Sequence, residues 1–393
     1  MIDFELIPHF LKYMGSKREI LGDIRDAVDS LHTDSSCFCD LFAGTSIVSY
    51  AMSDRYNVIS NDIQQYSSVF AKTYFGSYNQ YDAQKVVESI LHSAQKHVEH
   101  LITIYPFLRD LLSYSDDIDF VLFKSMEDAQ QHLLNRGLNE AYSLFTRCYS
   151  GTYWSVQQCI WIDALRKVAD DYKDEPIYYA ILSSIIYAMS YASQSTGHFA
   201  QFRKITQDNY KNILFYRKKS VFELFSKKLT EVLSIKKEDN DFEYTCMSLD
   251  YRLCLQKIPR GSIIYADPPY SNVHYSRFYH AVETLVRYDN PVLEYTGRYR
   301  SDRHQSPFDQ SRNVREAFAL LFDGVKTAQS HLILSYSDNG MLAPDEILSI
   351  GEQIMGTEYE YNLYSKEYSH MKMGRSDEYK MDVKELIISF KRL

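Results

Sequence analysis

No run of about 18 apolar residues occurs in this chain, so no membrane span is expected. The stretch Met1 to Phe10 lacks a basic segment followed by an apolar one, and no secretory signal is expected. None of the six cysteines (Cys37, Cys39, Cys148, Cys159, Cys246, Cys254) stands in a C-x-x-C pair. That removes the usual zinc-ribbon and redox motifs. The thiols read as reduced, part-buried side chains of a cytoplasmic protein. The 12 histidines show no H-E-x-x-H or other paired ligand spacing, so no metal is expected. His92, His97 and His100 read as the solvated face of a helix. Internal repeats and low-complexity tracts are missing too. So is an excess of positive charge: 43 Lys and Arg face 52 Asp and Glu, a net charge of −9. An acidic total argues against a protein that coats polyanions by bulk charge, but it leaves room for a local basic groove.

What is present is a globular composition, 45% hydrophobic, with 34 Tyr and 21 Phe beside only 2 Trp. Four short apolar runs read as buried strands: Cys37–Leu41, Val58–Ser60, Ser262–Ala266 and His331–Ser335. Each stops at polar chemistry: Asp40, Asn61-Asp62, Asp267-Pro-Pro-Tyr270 and Tyr336-Ser-Asp338. Buried strands alternating with helical patterns imply a largely parallel α/β sheet, which places the four stops along one edge. Glu358–Tyr364 and Glu385–Lys391 read as a C-terminal antiparallel hairpin. Some 200 residues between the second and third strands are too many for a simple crossover, so residues 77–235 are expected to form an inserted domain. Ile181, Leu182, Ile185, Ile186 and Met189, then Val221, Leu224, Phe225 and Leu229, repeat at helical spacing there. Charged Ile235–Glu243 reads as the linker back to the core, made of residues 1–76 and 236–393.

The most specific signal is Ile263-Ile-Tyr-Ala-Asp267-Pro-Pro-Tyr270. A strand delivers a carboxylate, two prolines and a ring into one turn. That suits attack by a planar amine whose lone pair is delocalised into its ring. Asp267 can accept one N–H, and a carbonyl in the Pro268-Pro269 turn can accept the other. The prolines hold those acceptors rigid. Tyr270 can stack on the flat base. Asp40-Leu-Phe-Ala-Gly-Thr-Ser46 is a strand end, a small-residue turn and a helix start, where Gly44 permits close approach of a ligand and the helix N-terminus favours a negative group. Asp62, about 20 residues on, has the spacing of a ribose reader. Lys12-Tyr-Met-Gly-Ser-Lys17 is a turn that can close over a cofactor.

Together these motifs resemble the alpha-group N6-adenine DNA methyltransferases, the group that includes Dam and many restriction-system modification enzymes. Their order matches as well. The likeness covers roughly Leu11–Asp62 and Met247–Leu393 and is thin in the insert. It implies a Rossmann-like methyltransferase sheet and S-adenosylmethionine as cofactor. By position it assigns cofactor contacts to Tyr13, Lys17, Asp40, Phe42, Gly44, Thr45, Asp62, Asp250 and Asp267, with Asp250 reaching the cofactor adenine. It assigns Asp267, Pro268, Pro269 and Tyr270 to the target adenine. Ser46 stands where the family loop often carries a second Gly, and a slightly tighter pocket is expected there.

An adenine inside a duplex must be flipped out, which needs a grip on phosphates and bases. From Gly197 to Ser234 there are eight Lys or Arg against three Asp or Glu; from Gly297 to Arg315, five Arg against two Asp. His198, Arg203 and Lys204 in the first stretch, and Arg298, Arg300 and Arg303 in the second, are the candidate DNA contacts. Asn272–Tyr279 either closes over the flipped base or begins a core helix. The expectation is a site-specific adenine-N6 methyltransferase of duplex DNA, either part of a restriction-modification pair with a cognate endonuclease or an orphan, acting as a monomer. Competing readings are an N4-cytosine enzyme, an RNA adenine enzyme and an inactive DNA-binding regulator on the same fold. C5-cytosine chemistry needs a nucleophilic cysteine, and no Pro-Cys pair exists.

Overall fold

A computed structural model of the chain describes residues 2–195, 197–235, 241–270, 274–371 and 380–393. Seven strands form one sheet: β1 Cys37–Asp40, β2 Asn57–Asn61, β3 Tyr244–Met247, β4 Ile263–Ala266, β7 His331–Ser337, β8 Tyr359–Met371 and β9 Lys380–Arg392, with β5 Leu293–Glu294 and β6 Tyr299–Arg300 a separate small ribbon. The spatial order is β3-β2-β1-β4-β7-β9-β8. The first five strands run parallel, and β9 is antiparallel to both neighbours. β1, β4 and β7 are buried at every residue, which fits central strands covered on both faces. The Rossmann-like sheet with a reversed C-terminal hairpin is therefore the observed fold. Sequence reading missed β3, whose residues are exposed or half-buried because it lies at the sheet edge.

Helices cover both faces. One side carries α1 Leu21–Asp29, α2 Ile47–Ala51 and α3 Gln65–Phe75, then the long insertion: α4 Ala83–Ile104, α5 Phe120–Gln131, α6 Leu144–Tyr149, α7 Val156–Asp170, α8 Ile177–Ala192, α9 Tyr210–Arg217 and α10 Val221–Leu233. Starts of these helices are written locally: Asp82 and Asp119 cap α4 and α5, and Ser155 with Gln158 forms a reciprocal capping box on α7. α8 packs on α3, and Phe70, Ile90, Ile181 and Phe225 belong to one apolar core with Phe38 of β1. The other side carries α11 Tyr251–Leu255, α14 Val314–Thr327 and α15 Pro344–Met355, which close a second core around Ile264, Leu332 and Ile388. Short α12 Tyr275–Phe278 and α13 His280–Arg287 follow the turn after β4 and bury Phe278 and Tyr279 in the first core. The stretch after that turn thus begins core helices, with 271–273 outside the described residues.

The expected linker falls largely on 236–240, which also lies outside the described residues. No described helix is long and apolar enough to cross a membrane. The helix-face reading of His97 needs correction. It is 6% exposed, and its ring nitrogen Nε2 lies 3.2 Å from the Tyr142 carbonyl. No cluster of His, Cys, Asp and Glu suited to a metal occurs among the described residues.

Candidate functional site

A cleft opens beyond the carboxyl ends of β1, β2 and β4, walled by the Tyr13–Lys17 segment and the 304–309 turn. This is where an open α/β sheet binds ligands. Asp40, Asp62 and Asp267, three of the four predicted polar stops, line it. The fourth stays behind: Tyr336 is fully buried and meets Tyr270 edge-on at 6.1 Å.

The turn after β1 is held from within. Asp40 accepts from the Ser49 amide at 3.0 Å and the Ser49 hydroxyl at 2.7 Å. The negative group expected at the α2 N-terminus is thus the chain's own Asp40. Burial pushes its carboxyl up to about 7, although the Ser49 bonds act against that. Gly44 takes φ +53°, and a Cβ there would come 2.9 Å from the Tyr13 hydroxyl. Ser46 also takes a left-handed φ of 57°. Its hydroxyl turns away to the Ser67 carbonyl at 3.1 Å, so Ser46 does not narrow the cleft as expected. The Gly44 amide donates to Asp62 at 2.9 Å, and the Gln64 amide donates to the other Asp62 oxygen at 2.8 Å. Tyr13 stacks on Tyr279 with centroids 4.7 Å apart. Phe42 packs against Tyr251 and Phe308, and Asp250 caps α11 while pairing with Arg252.

At the end of β4, Asp267 and Lys17 approach to 3.0 Å. The same ammonium lies 2.7 Å from Glu385 of β9. Burial alone would lower the Lys17 pKa, but Asp267 and Glu385 together hold it well above its ordinary value. Tyr270 faces this group, with the ammonium 5.9 Å from its ring. Burial raises its phenol to about 12. The Met341 amide donates to the Tyr270 carbonyl at 3.0 Å, pinning the end of the proline turn.

Tyr275 and Ser276, from the stretch expected either to close over the base or to begin a core helix, line the cleft, while His304 and Asp309, which line it too, were not read from sequence. Asp309 lies 3.1 Å from the His274 ring and is pushed to about 7 by burial. Nothing in Ser306-Pro-Phe-Asp309 marks that role beforehand. Asp40 and Asp309 each keep one buried carboxylate oxygen without a hydrogen-bond partner among the described residues. Two such acceptors lining the cleft fit a ligand bearing N–H or O–H donors and positive charge.

The predicted basic contacts separate into two kinds. His198 stacks on Phe278 at 4.1 Å, Arg203 bonds Asn212, and Lys204 is exposed. Arg298 and Arg300 turn inward, which corrects their reading as groove residues. Arg298 donates to the carbonyls of Cys148 and Gln131, and Arg300, 1% exposed, pairs with Asp289 and Asp302. Arg303 lies 5.9 Å from the Tyr299 ring, and Arg277, not singled out from sequence, lies 5.8 Å from it. The first basic stretch is also partly spent internally, since Arg217 pairs with Glu127, Lys218 with Asp116 and Lys228 with Glu231.

A family model described as D12 class N6 adenine-specific DNA methyltransferase matches residues 13–333. The chain is 25% identical over 352 residues to the modification methylase StsI of Streptococcus sanguinis, covering 86% of this chain and 46% of that protein. It is 24% identical over 394 residues to the modification methylase LlaI of Lactococcus lactis subsp. lactis, covering 97% of this chain and 55% of that protein. Against the Type II methyltransferase M.NlaIII of Neisseria lactamica it is 24% identical over 377 residues, covering 93% and 94%. The chain therefore spans about half the length of the first two relatives and nearly all of the third.

Proposed function

From the premise that this chain belongs to the D12 class N6 adenine-specific DNA methyltransferases, we propose that it methylates the N6 amino group of an adenine flipped out of duplex DNA. When bound, S-adenosylmethionine would supply an electrophilic methyl group, its carbon–sulfur electron pair staying with sulfur while the amine nitrogen gives up one proton to water. Tyr13, Asp40, Phe42, Gly44, Thr45, Asp62 and Asp250 would hold it in the cleft, with Asp62 on the ribose hydroxyls. The free oxygens of Asp40 and Asp309 and the close backbone at Gly44 support that assignment. The observation that carries the reading is the position of Asp267, at the cleft mouth of β4 beside Tyr270 and on a turn that two prolines keep stiff. Asp267 accepts one amino hydrogen and a proline-turn carbonyl accepts the other, so the nitrogen lone pair leaves conjugation with the ring. Tyr270 stacks on the base.

Residues 77–235 act as the DNA-recognition insert. His198, Arg203, Lys204 and Arg303 approach the DNA, and the exposed Arg277 joins them. The chain works as a monomer, with a cognate endonuclease as its natural counterpart. Transfer of tritiated methyl groups to duplex DNA and to RNA of matched sequence, followed by nucleoside analysis, tests the reading. The expected product is N6-methyldeoxyadenosine from the duplex. Label in N4-methylcytosine or in RNA would replace the substrate, and no label in any arm would favour the inactive regulator.

A further inference from the structure

Three charged side chains meet at the end of β4. The Lys17 ammonium sits 3.0 Å from Asp267 and 2.7 Å from Glu385, so the carboxylate outside the cleft is the nearer one. Lys17 and Asp267 line the cleft, whereas Glu385 is packed behind them on β9, 2% exposed. Its strand is fixed there by pairing with β7, where Glu385 lies opposite Ser337. A buried carboxylate costs free energy unless it is paired, and the fold tolerates this one directly behind a reactive group.

We infer that Glu385 is a positioning residue for methyl transfer, sharing the Lys17 ammonium so that Asp267 keeps its negative charge for the target amine. This rests on the reading of Asp267 given above. With Lys17 alone, the ammonium and Asp267 would form a closed pair, and the acceptor strength of Asp267 toward the amine would be largely spent. With Glu385 present, the ammonium is shared between two carboxylates and lies nearer the one on β9, so Asp267 keeps acceptor strength where positive charge develops on the amine nitrogen. Among the described residues, ionisable groups facing Lys17 and Asp267 include Tyr265 from β4, Tyr270 and Tyr275 from the turn and helix after it, and Asp40 from β1.

The test compares E385Q and E385D in the full chain by methyl transfer to duplex DNA. In E385Q, kcat is expected to fall about tenfold or more, with both KM values nearly unchanged. Its acid limb of kcat against pH should move down by about one unit, because a neighbouring negative charge has gone. E385D, which keeps the charge, should retain most of kcat and the wild-type limb. Wild-type kcat and limb in E385Q would overturn the inference. So would equal losses in both variants, including failure of both to fold, since that would mark a packing role. An inactive wild-type chain would overturn the parent reading instead.

Discussion

The Gly44 amide donates to the Asp62 carboxylate across 2.9 Å, binding the turn after β1 to the turn after β2. A carboxylate has about four lone-pair sites, and backbone amides occupy two here, which leaves acceptors for ribose hydroxyls. Asp62→Ala removes both jobs. Affinity for S-adenosylmethionine should fall about 10- to 100-fold, the scale of a lost charge-assisted bond. DNA affinity should not change. Calorimetry with the cofactor and anisotropy with a labelled duplex read the two separately.

Asp267→Ala should reduce methyl transfer about a thousandfold or more, the scale of removing a preorganised acceptor. The fold should survive, because Lys17 keeps Glu385 as its partner. DNA affinity should stay near wild type. Single-turnover transfer of tritiated methyl groups decides, and a wild-type rate would sink the role given to Asp267.

The turn carrying Asp267 was legible because its signals are consecutive: an apolar run, then a carboxylate, two prolines and a tyrosine. Asp40, Gly44 and Asp62 were legible because strand ends and spacing locate them. Glu385 was invisible because its partner lies at the other end of the chain, and only the reversed hairpin brings them together. Arg298 and Arg300 were misread for a related reason. A local charge tally cannot show that Asp289 and Asp302 fold back onto one guanidinium, or that backbone carbonyls absorb the other. Strand β3 escaped because an edge strand lacks the apolar run that marked its neighbours.

Arg300→Ala and Lys204→Ala should therefore fail differently. Arg300→Ala removes one of the two guanidiniums that Asp289 and Asp302 share, Arg287 being the other, and empties the buried space that Arg300 fills, so it should lower the melting temperature. Lys204→Ala should leave it unchanged while reducing the slope of log affinity against log salt by about one, as expected for one lost phosphate contact. Thermal melts and salt titrations of duplex binding distinguish them.

Glu127 and Arg217 are both fully buried and joined by a forked pair of hydrogen bonds inside the insertion. Glu127→Ala strands a guanidinium in the core. The expected loss is about 3–5 kcal/mol, measurable by denaturant unfolding.

Burial holds the Asp309 carboxyl at about 7. Its folded value lies above the ordinary carboxylate value, about 3.9. The stability it contributes is complete below that ordinary value and disappears as the pH rises through about 7. The melting temperature of Asp309→Asn should therefore gain on wild type as the pH rises from about 4 to about 7, and the difference should level off above that. His274, kept low by burial, works in the opposite sense below about pH 6.5, but both proteins carry it, so the difference between them reports Asp309. Parallel melts of the two proteins across that range check the sign.

The meeting of Lys17 with Glu385 also has a consequence in time. A nascent chain emerges from its N-terminal end, so the lysine and the Asp267 turn are made long before the strand that balances their charge. Until β9 has left the ribosome and threaded between β7 and β8, the cleft holds its motifs but not its finished electrostatics. Full transfer activity therefore arrives with the last strand, late in synthesis, and not with the insertion or the cofactor loops.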